Sequence, residues 1–516
     1  MKKKMIAKFS ALAILTLFFT ACSNKKAEYT NAIPADASFV VSIDLKSLID
    51  KTEIDSKENE SVIQKIVESL KSGLDASAFQ HMEKIIKNPQ ESGINIKSPV
   101  YIFKSPTFNE TVLLAEISNE DKLHKSLEYM EKENICQPVS ETDGYCFTTF
   151  KKGLMVFNNS AVMMTLGRNP SQTESVQKRL AALLKQSAEQ SIHQSEAFRK
   201  TSERKEDIKL MASLEALPVK KKEFFYLGPP SGIDPKEITV ISGLNFEKGR
   251  ISLKTENYTE NDSIQRFIKK YNNTFIKPKG VFNKYFPAST LMFVTLGVKE
   301  GQLYELLKYH QDFTKNLPLA EAEEIKVILD SFNGDFTAGL INVTMENAPA
   351  FMAYAEVSDN DAVQRLYANK QKMNLKKGSD ILQLGKNEYV YKSKNMNIFF
   401  GVKDKQMYAT NDEMLYKRIG KAAEKTVKDA VYASEMKGNP LYMAINAEAI
   451  ADLPLVKMII SFNSKETQML SGLLTRTSHL SVSLEGETSD ITLHLRNKNE
   501  NALKQIVDFA KQFASM

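Results

Sequence analysis

The chain has 516 residues, of which 42% are hydrophobic and 26% charged, and its formal net charge is +6. This length and composition exclude a disordered chain and favour two or three globular domains. Four lysines lie within residues 1–21, and without them the net charge falls to +2, which excludes the concentrated basic surface of a nucleic-acid-binding protein.

The N-terminus has the layout of a secretory signal peptide. A lysine-rich start precedes an apolar run at residues 9–19, which is shorter than the about 20 residues of a membrane-spanning helix. The sequence FTAC at residues 19–22 resembles a bacterial lipobox, where signal peptidase II cuts and leaves a lipid-modified cysteine. We therefore expect residues 1–21 to be a lipoprotein signal peptide and Cys22 to carry diacylglyceryl and palmitate-type acyl chains. An ordinary signal peptide with an incidental cysteine is the alternative.

Residues 22–32 are predicted to form a polar tether to the membrane. Lys25 and Lys26 follow Cys22, whereas surface-exported lipoproteins of the Bacteroidetes type carry acidic residues there. By that resemblance, we expect a protein of the cell envelope that is lipid-anchored in the outer membrane and faces the periplasm.

Cys136 and Cys146 are the two cysteines that the lipobox does not explain. They are ten residues apart, and Pro138, Asp143 and Gly144 between them favour turns. Because an exported protein meets an oxidising environment, we expect a disulfide between the two. Two separate reduced thiols are the alternative.

The chain after the tether is predicted to alternate strands and helices. An extended segment at residues 33–45, entered through Pro34, is followed by a helix at residues 58–74, where apolar residues recur at spacings of one, three and four. Ser118 and Asp121 have the form of a capping box and predict another helix start. Further strands are expected at residues 100–103, 111–117, 144–150, 153–157, 161–166, 208–214, 238–246 and 250–258, the last two as a hairpin.

The second half of the sequence repeats this order. Residues 286–298 match residues 33–45 at a constant offset, with a proline, an alanine and alternating apolar residues in common. The last predicted elements are a hairpin at residues 478–485 and 490–495 and a helix at residues 501–513. We therefore expect an α+β fold of two duplicated units, residues 33–280 and 281–516, each a mainly antiparallel sheet with flanking helices. Separate domains and sheets shared about a pseudo-twofold axis are both compatible with this duplication.

No residue pattern predicts a metal site, a cofactor or a catalytic centre. The six histidines are dispersed, and none lies at helical spacing from another histidine or a cysteine. The glycine motifs of nucleotide-binding proteins and the motifs of serine hydrolases and zinc proteases are absent. Asp44 is expected to cap a helix. Glu116 and Glu356 are expected to form buried or edge ion pairs, and a functional site is the alternative for each.

Residues 32–44, AIPADASFVVSID, resemble the N-terminal signature of an uncharacterised family of Bacteroidetes lipoproteins classed as a domain of unknown function. The resemblance covers most of the chain and carries no catalytic residues. Our leading hypothesis is a non-catalytic envelope lipoprotein that binds or scaffolds, with an envelope protein or a glycan as partner. The alternatives are a hydrolase that acts on envelope glycan and a carrier of an apolar ligand.

Overall fold

The computed structural model describes residues 28–53, 76–166, 173–217, 233–308 and 319–514, apart from the single residues 152, 347, 374, 376, 395 and 463. The predicted signal peptide, Cys22 and the predicted helix at residues 58–74 lie outside these ranges. None of the helices in the described ranges is long and apolar enough to cross a membrane.

The chain divides into two compact units. The first comprises Met1–Lys46 and Lys57–Arg199, and the second comprises Ser47–Ser56 and Lys200–Met516.

The described residues of the first unit form seven antiparallel strands in the order β1-β2-β3-β7-β6-β5-β4. These are β1 (Phe39–Ile43), β2 (Val100–Ser105), β3 (Phe108–Glu116), β4 (Ser140–Thr142), β5 (Tyr145–Phe150), β6 (Gly153–Phe157) and β7 (Ala161–Leu166). Its helices are α2 (Ala76–Lys87), α3 (Glu120–Lys132) and α4 (Thr173–Leu184), while α1 (Leu45–Thr52) and α5 (Glu196–Glu203) lie where the chain passes between the units. Short 3-10 helices are Tyr29–Ala32, Pro89–Ser92, Ala188–Gln190 and Ile192–Gln194.

Helix α3 shows how the local sequence sets a boundary in this unit. The Asn119 side chain accepts a hydrogen bond from the backbone N–H of Lys122 at 2.9 Å, so the cap is one residue later than the predicted Ser118. Leu123 and Leu127, four residues apart, share one face of the helix and are buried against the sheet. Full burial of each leucine contributes about 2 kcal/mol to stability.

The second unit contains fourteen strands in its described residues. They are β8 (Ile208–Ser213), β9 (Thr239–Glu247), β10 (Arg250–Tyr258), β11 (Phe275–Ile276), β12 (Met292–Val298), β13 (Phe332–Asn342), β14 (Ala350–Val357), β15 (Asp380–Gly385), β16 (Glu388–Lys392), β17 (Asn397–Lys403), β18 (Gln406–Thr410), β19 (Leu441–Asn446), β20 (Thr477–Glu485) and β21 (Thr488–Leu495). The strand order is β8-β9-β10-β21-β20-β19-β12-β13-β14-β18-β17-β16-β15, and the short β11 also pairs with β12.

Helices connect these strands. They are α6 (Asp262–Asn272), α7 (Gln302–Leu307), α8 (Leu319–Asp330), α9 (Ala362–Ala368), α10 (Glu413–Tyr416), α11 (Ala447–Asp452), α12 (Pro454–Ser461), α13 (Lys465–Arg476) and α14 (Ala502–Ala514). Short 3-10 helices are Leu214–Ala216, Pro235–Glu237, Asn283–Tyr285, Lys370–Lys372 and Val427–Asp429.

The prediction of two duplicated units is wrong, although the mixture of helices and antiparallel strands is that of an α+β protein. The fourteen strands described in the second unit come from both predicted halves of the chain and belong to one antiparallel sheet. Strand β10, which falls in the predicted first unit, pairs along seven residues with β21, which falls in the predicted second unit. The matching segments at residues 33–45 and 286–298 encode the same local structure, a proline-marked entry into a strand, and such similarity does not require separate sheets.

An aromatic core organises the part of the second unit around β12. Phe293 on β12 lies edge-to-face with Phe286 at 5.5 Å between ring centroids and stacks on Tyr432 at 6.0 Å. Tyr354 on β14 and Tyr442 on β19 are buried in the same cluster. Phe286 precedes β12 and Tyr432 precedes β19. This core therefore fixes the two segments, residues 278–283 and 428–437, that line a cleft in the second unit.

Candidate functional site: a lysine-lined cleft and an adjacent histidine cluster

A cleft of about 560 Å³ lies in the second unit. The described residues that line it include three lysines and no carboxylate: Pro278, Lys279, Gly280, Asn283, Thr295, Lys428, Ala433, Ser434, Met436 and Lys437. The three lysines are exposed, and the Lys279 Nζ atom lies 4.0 Å from the Glu356 carboxylate.

The turn at residues 278–283 forms one wall of the cleft. The buried Asp335 on β13 accepts hydrogen bonds from the backbone N–H groups of Lys279 at 2.7 Å and Val281 at 2.9 Å. Gly280 between them has φ +73°, and a Cβ there would lie 2.8 Å from the Asn283 amide nitrogen. The turn therefore requires glycine at this position and is fixed to the sheet by one carboxylate.

The segment from Thr426 to Lys437 forms the opposite wall. Thr426 and Asp429 make a reciprocal capping box, in which the Asp429 carboxylate accepts from the Thr426 N–H at 2.9 Å. Lys428 lies inside this cap, and its own N–H donates to the Thr426 hydroxyl at 3.2 Å. The position of the Lys428 backbone is therefore set by local hydrogen bonds.

A partly buried cluster of Glu435, His479 and His494 adjoins this wall. The Glu435 Oε2 atom lies 3.1 Å from Nε2 of His479 and 3.1 Å from Nε2 of His494. The two histidines are opposite each other on β20 and β21, and their rings stack with centroids 4.1 Å apart and 9° between the planes. Glu435 lies between Ser434 and Met436, so the cluster holds the segment that lines the cleft.

Hydrogen bonds determine the charge state of this cluster. Burial acts to raise the pKa of the Glu435 carboxyl, but the hydrogen bonds and charges of His479 and His494 outweigh it, and the pKa lies well below its usual range. The Tyr442 hydroxyl donates to the same carboxylate at 3.5 Å, and burial raises the pKa of Tyr442. The carboxylate is therefore ionised and surrounded by donors.

A second group of side chains of the kinds that bind metal ions lies in the first unit. Glu120 and His124 are four residues apart on α3, and the Cys146 Sγ atom lies 3.9 Å from the His124 Nε2 atom. Burial raises the pKa of the Cys146 thiol, and the nearby Glu141 and Glu120 carboxylates add to the effect. The protonated thiol is thus the favoured form.

The predicted disulfide between Cys136 and Cys146 is not formed, and both cysteines are free, buried thiols. Cys136 forms an isolated β-bridge with the backbone of Phe150. Phe150 lies four residues beyond Cys146 on β5, which is about 13 Å along the strand. A disulfide needs Cα atoms about 4.4–6.8 Å apart. The turn at Asp143 and Gly144 places Glu141, rather than Cys136, opposite Cys146.

The other residues selected from the sequence have local structural roles. Glu116 accepts hydrogen bonds from Asn95 at 2.7 Å and from Ser98, and Glu356 accepts one from the Asp335 N–H at 2.8 Å. Neither glutamate lines the cleft. Asp44 lies between β1 and α1, immediately before the first residue of the helix that it was predicted to cap.

The histidine cluster was not predicted from the sequence. Metal-binding histidines were expected at helical spacing, whereas His479 and His494 pair across a hairpin. The hairpin itself was predicted, and a two-residue turn at Gly486 and Glu487 puts residues equidistant from it opposite each other. Counting outward from that turn places His479 against His494. No comparable signal marks Glu435, which comes from a distant loop.

The described residues define an α+β protein with a basic cleft. The chain belongs to the family described as domain of unknown function (DUF4836), whose profile matches residues 29–503. This confirms the predicted resemblance at the level of a family of unknown function. No curated protein matches the chain. A solved chain described as "Structure of crystal form IV of TP0453" is similar at 13% identity and a TM-score of 0.26, over 45% of this chain and 81% of that one. A likeness this low assigns neither fold nor function.

Proposed function

We propose that this protein is a membrane-anchored cell-envelope lipoprotein that binds an anionic ligand in the cleft without chemical turnover. One observation carries the binding proposal: in the described part of the chain, three lysines and no carboxylate line a cleft of about 560 Å³. Clefts that bind small molecules have volumes of about 300–1,000 Å³. Like charges around a concave surface raise the local concentration of an oppositely charged ligand.

The chemistry of the lining favours an acidic glycan fragment as the ligand. The ammonium groups of Lys279, Lys428 and Lys437 complement carboxylate or phosphate groups, while the hydroxyl of Ser434 and the amide of Asn283 suit sugar hydroxyls. The lining residues that the structure describes include no histidine, cysteine or carboxylate that would act as a general acid, base or nucleophile. Binding is therefore the function that this cleft supports best.

The lipid anchor is supported by the sequence. A basic start, a short apolar run and the FTAC sequence at residues 19–22 have the order and spacing of a lipoprotein signal peptide. Lys25 and Lys26 favour a position on the periplasmic side of the outer membrane. The membrane is then the first partner of the protein, reached through Cys22, and the glycan or an envelope protein is the second.

Metabolic labelling with palmitate tests the anchor. The wild-type chain is expected to incorporate the label, and Cys22→Ala is expected to lose it, because the thiol at residue 22 is the acceptor. Cys146→Ser, which changes a buried thiol of the folded part, is the control and should retain the label. Incorporation by Cys22→Ala would contradict the assignment of Cys22.

Calorimetric titration with tetragalacturonate, at low ionic strength, tests the cleft. We expect binding to weaken about tenfold when Lys279, Lys428 and Lys437 are all changed to glutamine, since each exposed charge contributes about 0.5 kcal/mol. The control changes Lys254, Lys392 and Lys403, exposed lysines that do not line the cleft, and removes the same total charge. Equal weakening in both triple variants would show that net charge acts alone, and the absence of binding to wild type would reject this ligand class.

A further inference from the structure

We propose that Glu435, His479 and His494 bind a divalent transition-metal ion, for which zinc is the best match to the donors. Two imidazole nitrogens and one carboxylate oxygen are a common three-residue zinc ligand set, with the fourth position left to water. The three donor atoms all lie within 4.8 Å of one another. This site is distinct from the cleft, whose lining residues include none of the three.

Two of the three separations between donor atoms are close to those of a tetrahedral site. Zinc bonds of about 2.0–2.1 Å to nitrogen and oxygen place neighbouring ligand atoms about 3.3 Å apart. The Glu435 carboxylate lies 3.1 Å from each histidine Nε2 atom. An ion therefore replaces the hydrogen-bonded protons between these atoms with little movement of the backbone.

The imidazole rings must turn when the ion binds. They are parallel and stacked in the structure, with 9° between their planes, whereas an ion lies close to the plane of each ring that binds it. Binding of one ion by both rings therefore requires each ring to rotate about its Cβ–Cγ bond, so that both Nε2 lone pairs are directed at the ion. Metal binding and ring stacking thus exclude each other, so the stacked arrangement of His479 and His494 is lost when the ion binds.

The surroundings of the three ligand residues support a metal-binding role. The His479 Nδ1 atom lies 3.2 Å from the Ser478 hydroxyl, so it can donate its proton there while Nε2 binds the ion. The side chains of His479 and His494 are only 4% and 15% exposed, which restricts competition by solvent, while Glu435 at 32% leaves a route for the ion. These are the features of a site held by its surroundings and open on one side.

The group of Glu120, His124 and Cys146 in the first unit is the competing site. A thiol must lose its proton before it binds zinc, and burial raises the pKa of Cys146. The donor atoms are closer together in the Glu435 site, where the carboxylate oxygen lies 3.1 Å from both imidazole nitrogens, than in the first-unit group, where the Cys146 Sγ atom lies 3.9 Å from the His124 Nε2 atom. We therefore assign the ion to the second unit.

The test uses the full-length chain, freed of metal by chelator and titrated with zinc chloride in a calorimeter. We expect one zinc ion per chain, and Glu435→Gln and His494→Gln are each expected to weaken binding about 100-fold or more, beyond the about 10–100-fold effect of outer contacts. Cys146→Ser is the matched control, with circular dichroism to check the fold of each variant. Unchanged affinity in the folded Glu435→Gln variant, or loss confined to Cys146→Ser, would overturn the assignment.

X-ray absorption at the zinc edge of the wild-type chain provides a second measurement that does not depend on the folding of variants. Two imidazole nitrogens and oxygen ligands without sulfur are expected. A sulfur ligand, or failure of the wild-type chain to bind zinc stoichiometrically, would reject the site. In the latter case the cluster is a buried ion pair only.

Discussion

Replacing Phe293 by alanine is expected to lower the free energy of unfolding of the second unit by about 4 kcal/mol. The side chain is fully buried on β12 and contacts the rings of Phe286 and Tyr432. The substitution removes the apolar area of a whole ring and leaves a cavity between two other rings, so the transfer and cavity contributions add. Chemical denaturation followed by far-UV circular dichroism measures the loss.

Phe293→Leu is the matched control for this cavity. Leucine fills much of the same volume and is expected to cost less than half as much as alanine. The cleft offers a second readout, because Tyr432 packs on Phe293 and immediately precedes Ala433 in the cleft wall. A folded Phe293→Ala variant should therefore bind the cleft ligand more weakly than Phe293→Leu. Similar denaturation curves for the two variants would contradict the packing described for β12.

Asp207→Ala is expected to destabilise the second unit by about 3 kcal/mol. The carboxylate is 2% exposed and accepts hydrogen bonds from Lys51 at 2.6 Å, from the Ser47 hydroxyl at 2.6 Å and from the Phe246 N–H at 2.8 Å. Removing one partner of a buried ion pair costs about 3–5 kcal/mol. We expect a destabilisation at the lower end of this range because Lys51 is 26% exposed, so its ammonium group can be hydrated when the carboxylate is removed. Urea denaturation measures the change.

The exposed pair of Glu174 and Lys178 is the control for Asp207. Its side chains are 80% and 72% exposed, so solvent screens the interaction, and Glu174→Ala is expected to leave stability unchanged within error. A double-mutant cycle with Lys51→Met separates the ion pair from the other hydrogen bonds of Asp207. If Asp207→Ala were as stable as Glu174→Ala, the buried network would have no role in stability.

The sequence predicted the structure well where partners are close along the chain. The hairpin at residues 238–246 and 250–258 is confirmed, because the turn residues that define it lie between its two strands. The pairing of β10 with β21 was not predicted, since it joins segments more than 200 residues apart and no local pattern specifies the partner. The duplication prediction failed for that reason: similar local segments gave no information about which strands pair.

The cleft and the histidine cluster show the same limit. Residues 278–283 and 428–437 line one cleft although about 150 residues separate them. Each segment alone reads as an ordinary polar loop with lysines. The His479–His494 pair was predictable, because a two-residue turn fixes the register of its hairpin. Glu435 was not, because it lies 44 residues before His479 and no local pattern joins the two segments.

The pairing of β10 with β21 has a consequence for biosynthesis. Ribosomes release the chain from its N-terminus, so β10 emerges long before the strand that covers one of its edges. Until residue 495 has emerged, β10 has an open edge with unpaired backbone groups, which favours association with other chains. We therefore expect truncation before β21 to yield aggregates rather than a smaller folded protein, and a chaperone that covers exposed strand edges to increase the yield of the full chain.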